Sequence, residues 1–290
     1  MRGLVASLAM AVVSACTPAP RPVVIEEPAL WRIADADSEI WLFGTVHVLP
    51  PELAWRGPRF EAAFAAAEEL VVETDAAGAE TAALTAQYGM LPAGQRLSAQ
   101  IGPEADARLG RQARALGLDP ASLEPMRPWL AALRLSYAYA VRRGFNAAAG
   151  VEGVLVPEAR ARGVRVRYLE TPEQQVRTLA DLPAPVQVAF LEASLDQIEQ
   201  GGDPLSAMVS AWAVGDAETL DGLLRAELNE AGPEAYDAII VRRNRAWADE
   251  IAARLVGEGD SFYAVGAAHL TGPDGVVTLL RARDIAVEGP

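Results

Sequence analysis

Two short apolar runs lie near opposite ends of this 290-residue chain, and each stops at a glycine followed three residues later by a histidine. They are Glu39-Ile40-Trp41-Leu42-Phe43-Gly44, leading to His47, and Ser261-Phe262-Tyr263-Ala264-Val265-Gly266, leading to His269. Short apolar runs closed by a breaker predict strands buried on both faces, which requires a sheet covered by helices. A Pro-bearing loop, a helix and another strand follow each run. These are Arg59–Glu69 and Leu70-Val71-Val72-Glu73-Thr74 after the first, and Gly275–Arg283 and Ile285-Ala286-Val287-Glu288 after the second. The expected fold is therefore α/β: a mixed, mostly parallel central sheet built from two β-loop-α-β halves. Between the halves the composition is largely helical, with helices expected at Pro103–Leu116, Pro128–Arg143, Pro185–Glu199 and Pro204–Leu228, and this middle reads as a large insertion. Gly163–Glu170 alternates with period two and adds a strand that ends in an acid.

Open α/β sheets bind ligands beyond the carboxyl ends of their strands, and glycine there is expected to let the backbone turn so that each histidine faces the crevice. With 24 glycines in the chain, two independent Gly-x-x-His steps are a coincidence of under about 1% against background composition. These are the chain's two histidines; it has one cysteine and no lysine, so all 25 basic residues are arginine. That excludes Schiff-base and phosphate-loop lysines, disulfide frameworks and Cys-rich zinc sites. No Gly-x-Ser-x-Gly elbow, Gly-x-Gly-x-x-Gly fingerprint or His-Glu-x-x-His helix occurs. A formal charge of −14 argues against a nucleic-acid partner, because duplex binding needs a basic face.

Two acids close predicted strands, Glu73 and Glu170. If these strands share the sheet, two imidazoles and one or two carboxylates meet at one rim and make a first shell for a divalent metal with an open position. The alternative is that strand-end acids simply face water. A helix predicted over Pro233–Val256 places Tyr236, Ile240, Trp247, Ile251 and Leu255 on one face, with Arg243 and Asn244 flanking it and Arg242 and Arg245 pointing away. An arginine on a packing face needs a partner. Two readings stand level: a ligand oxyanion, or a structural pair with a strand-end glutamate.

The N-terminus reads as a targeting segment. Arg2 and the apolar stretch Gly3–Val13 have signal-peptide proportions, and Val13-Ser14-Ala15-Cys16 resembles a bacterial lipobox with Cys16 as the lipidated residue. Residues 1–15 would then be removed, residues 16–27 would form a Pro-rich tether, and residues 28–290 the folded domain. A plain signal peptide or an uncleaved anchor are the alternatives, the latter disfavoured because the run is shorter than a spanning helix.

The segments WLFGTVHVLP, ELVVETD, RPWLAALRL, GVEGVLVPEARARGVRVRYLETPEQQ, AWAVGDAETL, VRRNRAWADEI and FYAVGAAHLTGPDGVVTLLRARDIAVE resemble the TraB/GumN family. That family is related to the Tiki metalloproteases and, more distantly, to erythromycin esterases and ChaN lipoproteins. The family usually has glycine where Ala268 stands and often aspartate where Glu152 stands. The resemblance implies a Tiki-like hydrolase of peptide bonds that uses manganese, cobalt or zinc. His47, His269 and Glu170 would hold the ion, Glu73 would relay a proton, and Arg243 with Asn244 would stabilise the oxyanion. Glu152 is a further candidate. Two other functions remain open: a metal-independent, esterase-like hydrolase with His47 as general base, and an envelope lipoprotein that captures haem or another ligand without turnover. The implied setting is the periplasmic face of the cell envelope, with the N-terminal lipid in the outer membrane and a peptide or small molecule as substrate; the oligomeric state is left open.

Overall fold

The apolar run ending at Gly266 becomes the middle strand of a five-stranded sheet. A computed structural model describes residues 26–200 and 203–290; the leader, Cys16 and all but the last two residues of the expected tether lie outside them. The strands are β1 (Leu30–Ala34), β2 (Ser38–Thr45), β3 (Glu69–Val72), β4 (Arg165–Tyr168) and β5 (Gly259–Gly266), in the spatial order β1-β2-β5-β3-β4. β1 and β2 form an antiparallel pair, whereas β2–β5, β5–β3 and β3–β4 are parallel.

Helix α1 (Pro58–Ala66) links β2 to β3, and α2 (Ala79–Gly89), α3 (Leu97–Ala115), α4 (Pro128–Arg142) and α5 (Val151–Ala161) lead on to β4. Helices α6 (Pro172–Ala180), α7 (Ala184–Glu199), α8 (Pro204–Ala213) and α9 (Ala217–Glu230) follow. The short α10 (Pro233–Tyr236), a π-helical turn (Asp237–Val241) and α11 (Arg242–Leu255) return the chain to β5, after which α12 (Ala267–Leu270) and α13 (Val276–Arg281) end it.

Strand alternation gives the sheet two apolar faces. Phe43, Leu70, Val72, Phe262 and Ala264 pack against residues of α1, α5 and α8 on one side. Ile33, Ile40, Leu42, Val71, Tyr263 and Val265 pack against residues of α11 and α13 on the other. A further cluster joins α3, α4 and α7 away from the sheet, through Leu109, Leu135, Leu191 and Leu195.

Several expectations change. The N-terminal β-loop-α-β unit does not form an adjacent pair, because β5 inserts between β2 and β3. Its buried run, apolar toward both faces, is suited to the most enclosed position. The sheet is therefore not two halves separated by an insertion; the last strand closes the gap left by the first unit. Glu69 belongs to β3 and not to the preceding helix, and its buried carboxylate is held by Arg165, Arg254 and Ser261. Ile285–Glu288 is not a strand. The left-handed turn at Asp284 (φ +60°) leaves only Glu288 at the edge of β1, where it exchanges two backbone hydrogen bonds of 2.9 Å with Arg32. The helix expected over Pro204–Leu228 breaks into α8 and α9 at Gly215 (φ +71°), with Asp216 capping the Thr219 N–H.

The face beneath the first histidine is aromatic. Phe60 lies 4.8 Å from Phe43, 5.0 Å from Trp55, 5.3 Å from Phe262 and 5.7 Å from Phe64, centroid to centroid. Phe60→Ala removes the shared member of this cluster and is expected to lower stability by about 3–5 kcal/mol, read as a drop in the urea midpoint at unchanged m-value.

Candidate functional site

Both Gly-x-x-His steps do end at the carboxyl rim of the sheet, on adjacent parallel strands whose Thr45 and Gly266 are register partners. Neither Gly44 nor Gly266 takes a positive φ, so the expected sharp turn is not their role. They supply room. A Cβ on Gly44 would come within 3.1 Å of Ala267. A Cβ on Gly266 would lie 3.1 Å from Glu73 Oε1, 3.4 Å from His269 Cδ2 and 3.7 Å from His47 Nε2, so three groups converge on the space above this glycine.

The two histidines are not equivalent. His47 follows β2 in a loop with its side chain 66% exposed, whereas the His269 side chain, within α12, is 6% exposed. His47 Nδ1 lies 3.0 Å from Glu152 Oε1, and Thr45 Oγ1 donates to the same carboxylate oxygen. Glu152 reaches them because the start of α5 abuts the histidine loop. The Val151 N–H donates to the Val46 carbonyl (3.1 Å), and Gly150 sits so close that a Cβ there would be 2.0 Å from the His47 carbonyl oxygen. The Glu152 carboxylate, followed by its hydrogen bond, outweighs desolvation and raises the His47 pKa to about 9.

The buried half of the site is organised by Arg243. Its Nε donates to Glu170 Oε1 (2.7 Å), and Nη2 to Glu73 Oε2 (2.7 Å), Glu170 Oε2 (3.0 Å) and Gln175 Oε1 (2.8 Å). Nη1 donates to the Ile239 carbonyl (3.3 Å) and to His269 Nε2 (3.1 Å). The π-helical turn just before α11 makes this aim possible. The Arg242 N–H reaches back five residues to the Asp237 carbonyl, and the Ile239 carbonyl accepts from the Arg243 side chain. The sequence period alone predicted one continuous helix here.

His269 has its tautomer set by its neighbours. Asn244 Nδ2 donates to the Asp274 carbonyl (2.8 Å), which turns Oδ1 toward His269 Nδ1 (2.6 Å); Nδ1 therefore carries the proton and Nε2 accepts from Arg243. Burial, reinforced by the charges of Arg243 and His47 and opposed by Glu73, drives the His269 pKa down to about 3. Burial would raise Glu73, but His269, Arg243, His47 and the Gly266 N–H (2.7 Å) together bring it to about 2. With His269 neutral, the charges of Arg243 and His47 and the Gly266 N–H keep Glu73 ionised at neutral pH.

The profile of the TraB/PrgY/gumN family matches residues 29–289. The chain belongs to this family. It is 26% identical over 254 residues to the uncharacterized protein YbaP of Escherichia coli strain K12, covering 88% of this chain and 92% of YbaP. It is 27% identical, with the same coverage, to the uncharacterized protein YbaP of Shigella flexneri. No solved structure matches it significantly.

In this TraB/PrgY/gumN chain, the sequence-derived residues His47, Glu73, Glu152, Glu170, Arg243, Asn244 and His269 are brought to the same rim. His47, His269 and Glu170 do not fit a shared metal ion. Glu170 turns both oxygens onto Arg243, and His269 spends both ring nitrogens on Arg243 and Asn244. Among the described residues no three His, Cys, Asp or Glu side chains are grouped to hold one. Arg243 is the structural partner of the strand-end glutamates, which was one of its two sequence readings.

Three contributing residues went unnoticed in the sequence, and a fourth, Trp247, was read only as part of a helix packing face. Thr45, Gln175 and Trp247 engage Glu152, Arg243 and Glu170 respectively, and Thr74 holds a buried Oγ1 without a hydrogen-bond partner beside Glu73. Thr45, Thr74 and Gln175 lie within the segments that carry the family resemblance, which was their available signal. A cleft of about 1010 Å³ opens beside the Glu170–Arg243 pair and is lined also by Thr171, Gln174, Arg177, Asp237, Arg242 and Trp247; His47, Glu73 and His269 are not part of its wall.

The two histidines should give stability opposite slopes in pH. The unfolded chain protonates His269 below about 6.5 and the folded chain only below about 3, so its effect is a loss of stability as pH falls through that window. His47 keeps its proton up to about 9 when folded, so its contribution is present below 6.5 and lost as pH rises through 9. Urea unfolding across this range is expected to show a flatter acid limb in His269→Asn and a flatter alkaline limb in His47→Gln.

Proposed function

We propose that this chain is a hydrolase of peptide bonds or small-molecule esters in which His47, oriented by Glu152, is the general base. One geometric observation carries this reading: among the described residues His47 is engaged by protein through Nδ1 alone, which leaves Nε2 open. His269 has both ring nitrogens engaged, and Glu73 is paired with Arg243. A base must be accessible and must change protonation state near the working pH. His47 is exposed, and its Nε2 faces the space above Gly266.

In this scheme a water above Gly266 attacks the substrate carbonyl carbon as neutral His47 Nε2 takes its proton. The Glu152 carboxylate on Nδ1 holds the tautomer and stabilises the imidazolium. The proton then passes from Nε2 to the leaving nitrogen or oxygen as the scissile bond breaks. Glu73, ionised and directed at the same space, adds favourable field for the imidazolium. Arg243 is a positioning residue here: its donors are engaged by protein acceptors, which leaves none for an oxyanion.

The expected pH–rate profile follows from the sign of the His47 shift. Activity toward a peptide and ester panel should rise with pH through a midpoint of about 9, and Glu152→Gln should move that midpoint down toward the ordinary histidine value. His47→Gln should abolish turnover. Elemental analysis and chelation belong in the same experiment. Stoichiometric metal lost in His47→Gln, or activity abolished by chelation and restored by manganese, cobalt or zinc, would overturn this scheme in favour of the metal-dependent one. Ligand capture with no turnover across the panel would favour the binding lipoprotein.

We also propose that the chain is exported and anchored in the cell envelope through lipid on Cys16, a reading supported by the leader composition and the Val13-Ser14-Ala15-Cys16 step. Cys16→Ala is expected to release the protein from the membrane fraction; unchanged fractionation would refute lipidation.

A further inference from the structure

The inner face of α4 is fully used. Ala131, Ala132 and Leu135 pack into the α3–α7 cluster, and Trp129 and Leu130 pack against α2 and α6. Its outer face is different. Leu133, Tyr137 and Val141, spaced by four, are 41%, 46% and 48% exposed, and they are half of the large apolar side chains that the described residues leave exposed. A fourth, Met90, pairs by a backbone bridge with Met126, two residues before α4.

The charge on this face is as unusual as its apolarity. From Met126 to Gly150 the chain has four arginines and no acid, in a protein with 39 acids and a net charge of −14. At the chain's average a stretch of this length would hold about three acids. Some helical arginines here pair with acids one turn away, as in Arg177–Asp181 and Arg225–Asp221, whereas the exposed Arg59, Arg111, Arg114 and Arg245 form no ion pair among the described residues. Arg134 and Arg142 on α4 are exposed, and no ion pair to either is formed among the described residues. Arg143, just past the helix end, pairs with Asp203. At 100° per residue, Leu133, Tyr137, Val141, Arg134 and Arg142 fall within one half of the helix circumference.

We propose that this outer face of α4 docks the domain onto an anionic phospholipid surface. Apolar side chains flanked by unpaired arginines on one helix face match a bilayer interface, where the former enter the headgroup region and the latter meet phosphates. Charge complementarity selects this occupant: the run 126–150 carries the exposed Arg134 and Arg142 and no acid of its own. The contact is peripheral: no helix of the described residues is long and apolar enough to cross a membrane. It is independent of the hydrolase reading, since none of these residues belongs to the histidine site.

The test is flotation of the full chain with phosphatidylglycerol/phosphatidylcholine vesicles and with pure phosphatidylcholine vesicles. Cys16→Ala is present in every sample to remove covalent lipid, and the pure phosphatidylcholine arm reports any contribution of the apolar leader. The parent should bind the anionic vesicles selectively and release with salt. Each arginine near an anionic surface contributes about fivefold in binding, so Arg134→Ser/Arg142→Ser should lose about 25-fold. Leu133→Ser/Tyr137→Ser/Val141→Ser should also lose vesicle binding. Thermal melting and activity should stay at parent values, because all five side chains are exposed. The proposal is overturned if the parent ignores anionic vesicles or if both variants bind as the parent does. It is also overturned if sedimentation shows a parent oligomer that the triple variant dissolves without any change in vesicle binding.

Discussion

A single buried guanidinium governs the rim of this sheet. Arg243 has been taken out of water, which costs several kcal/mol for an ion of this kind, and it is compensated by two carboxylates, an amide oxygen, a backbone carbonyl and an imidazole nitrogen. Those partners come from the residue after β3, the turn after β4, α6, the π-helical turn and α12. The charge therefore ties together elements that are distant in the chain. It also bears on protonation: its charge, with that of His47 and the Gly266 N–H dipole, favours ionised Glu73, and it adds to the burial that favours neutral His269.

The consequence is an asymmetric pair of histidines. The buried His269 beside Arg243 is met on the far side of Gly266 by an imidazole with its own acid, Glu152, and with open access to solvent. One histidine has become part of the scaffold, and the other keeps a proton to exchange. This division underlies the choice of a base mechanism over a shared metal ion. An ion would have to compete with Arg243 for the lone pair of His269 and for both oxygens of Glu170.

Much of the site was legible from local signals. His47 and His269 stood out because each follows a glycine-terminated apolar run, and Glu73 and Glu170 because each ends a strand. Their roles were not legible. Sequence spacing put Arg243 beside the packing face of a helix without saying which partner it would meet. The π-helical turn that aims it has no periodic signature, because one extra residue in a helix leaves the hydrophobic pattern on either side almost intact. The strand order escaped for a related reason: apolar runs identify buried strands, yet nothing in β2 or β3 states that a strand from the far end of the chain will lie between them.

Sequence alone determined the inventory and its local setting: an α/β chain with two histidines at strand ends, no lysine chemistry, and no basic run suited to nucleic acid. These follow from residue types and short-range periodicity, which act within a few residues. Tertiary structure decided which carboxylate faces which cation, which histidine is buried, and therefore which protons can move. Those outcomes depend on desolvation and on charges brought within hydrogen-bonding distance from far apart in the chain, as with Arg243 and Glu73, 170 residues apart, and such distances exist only once the chain has folded.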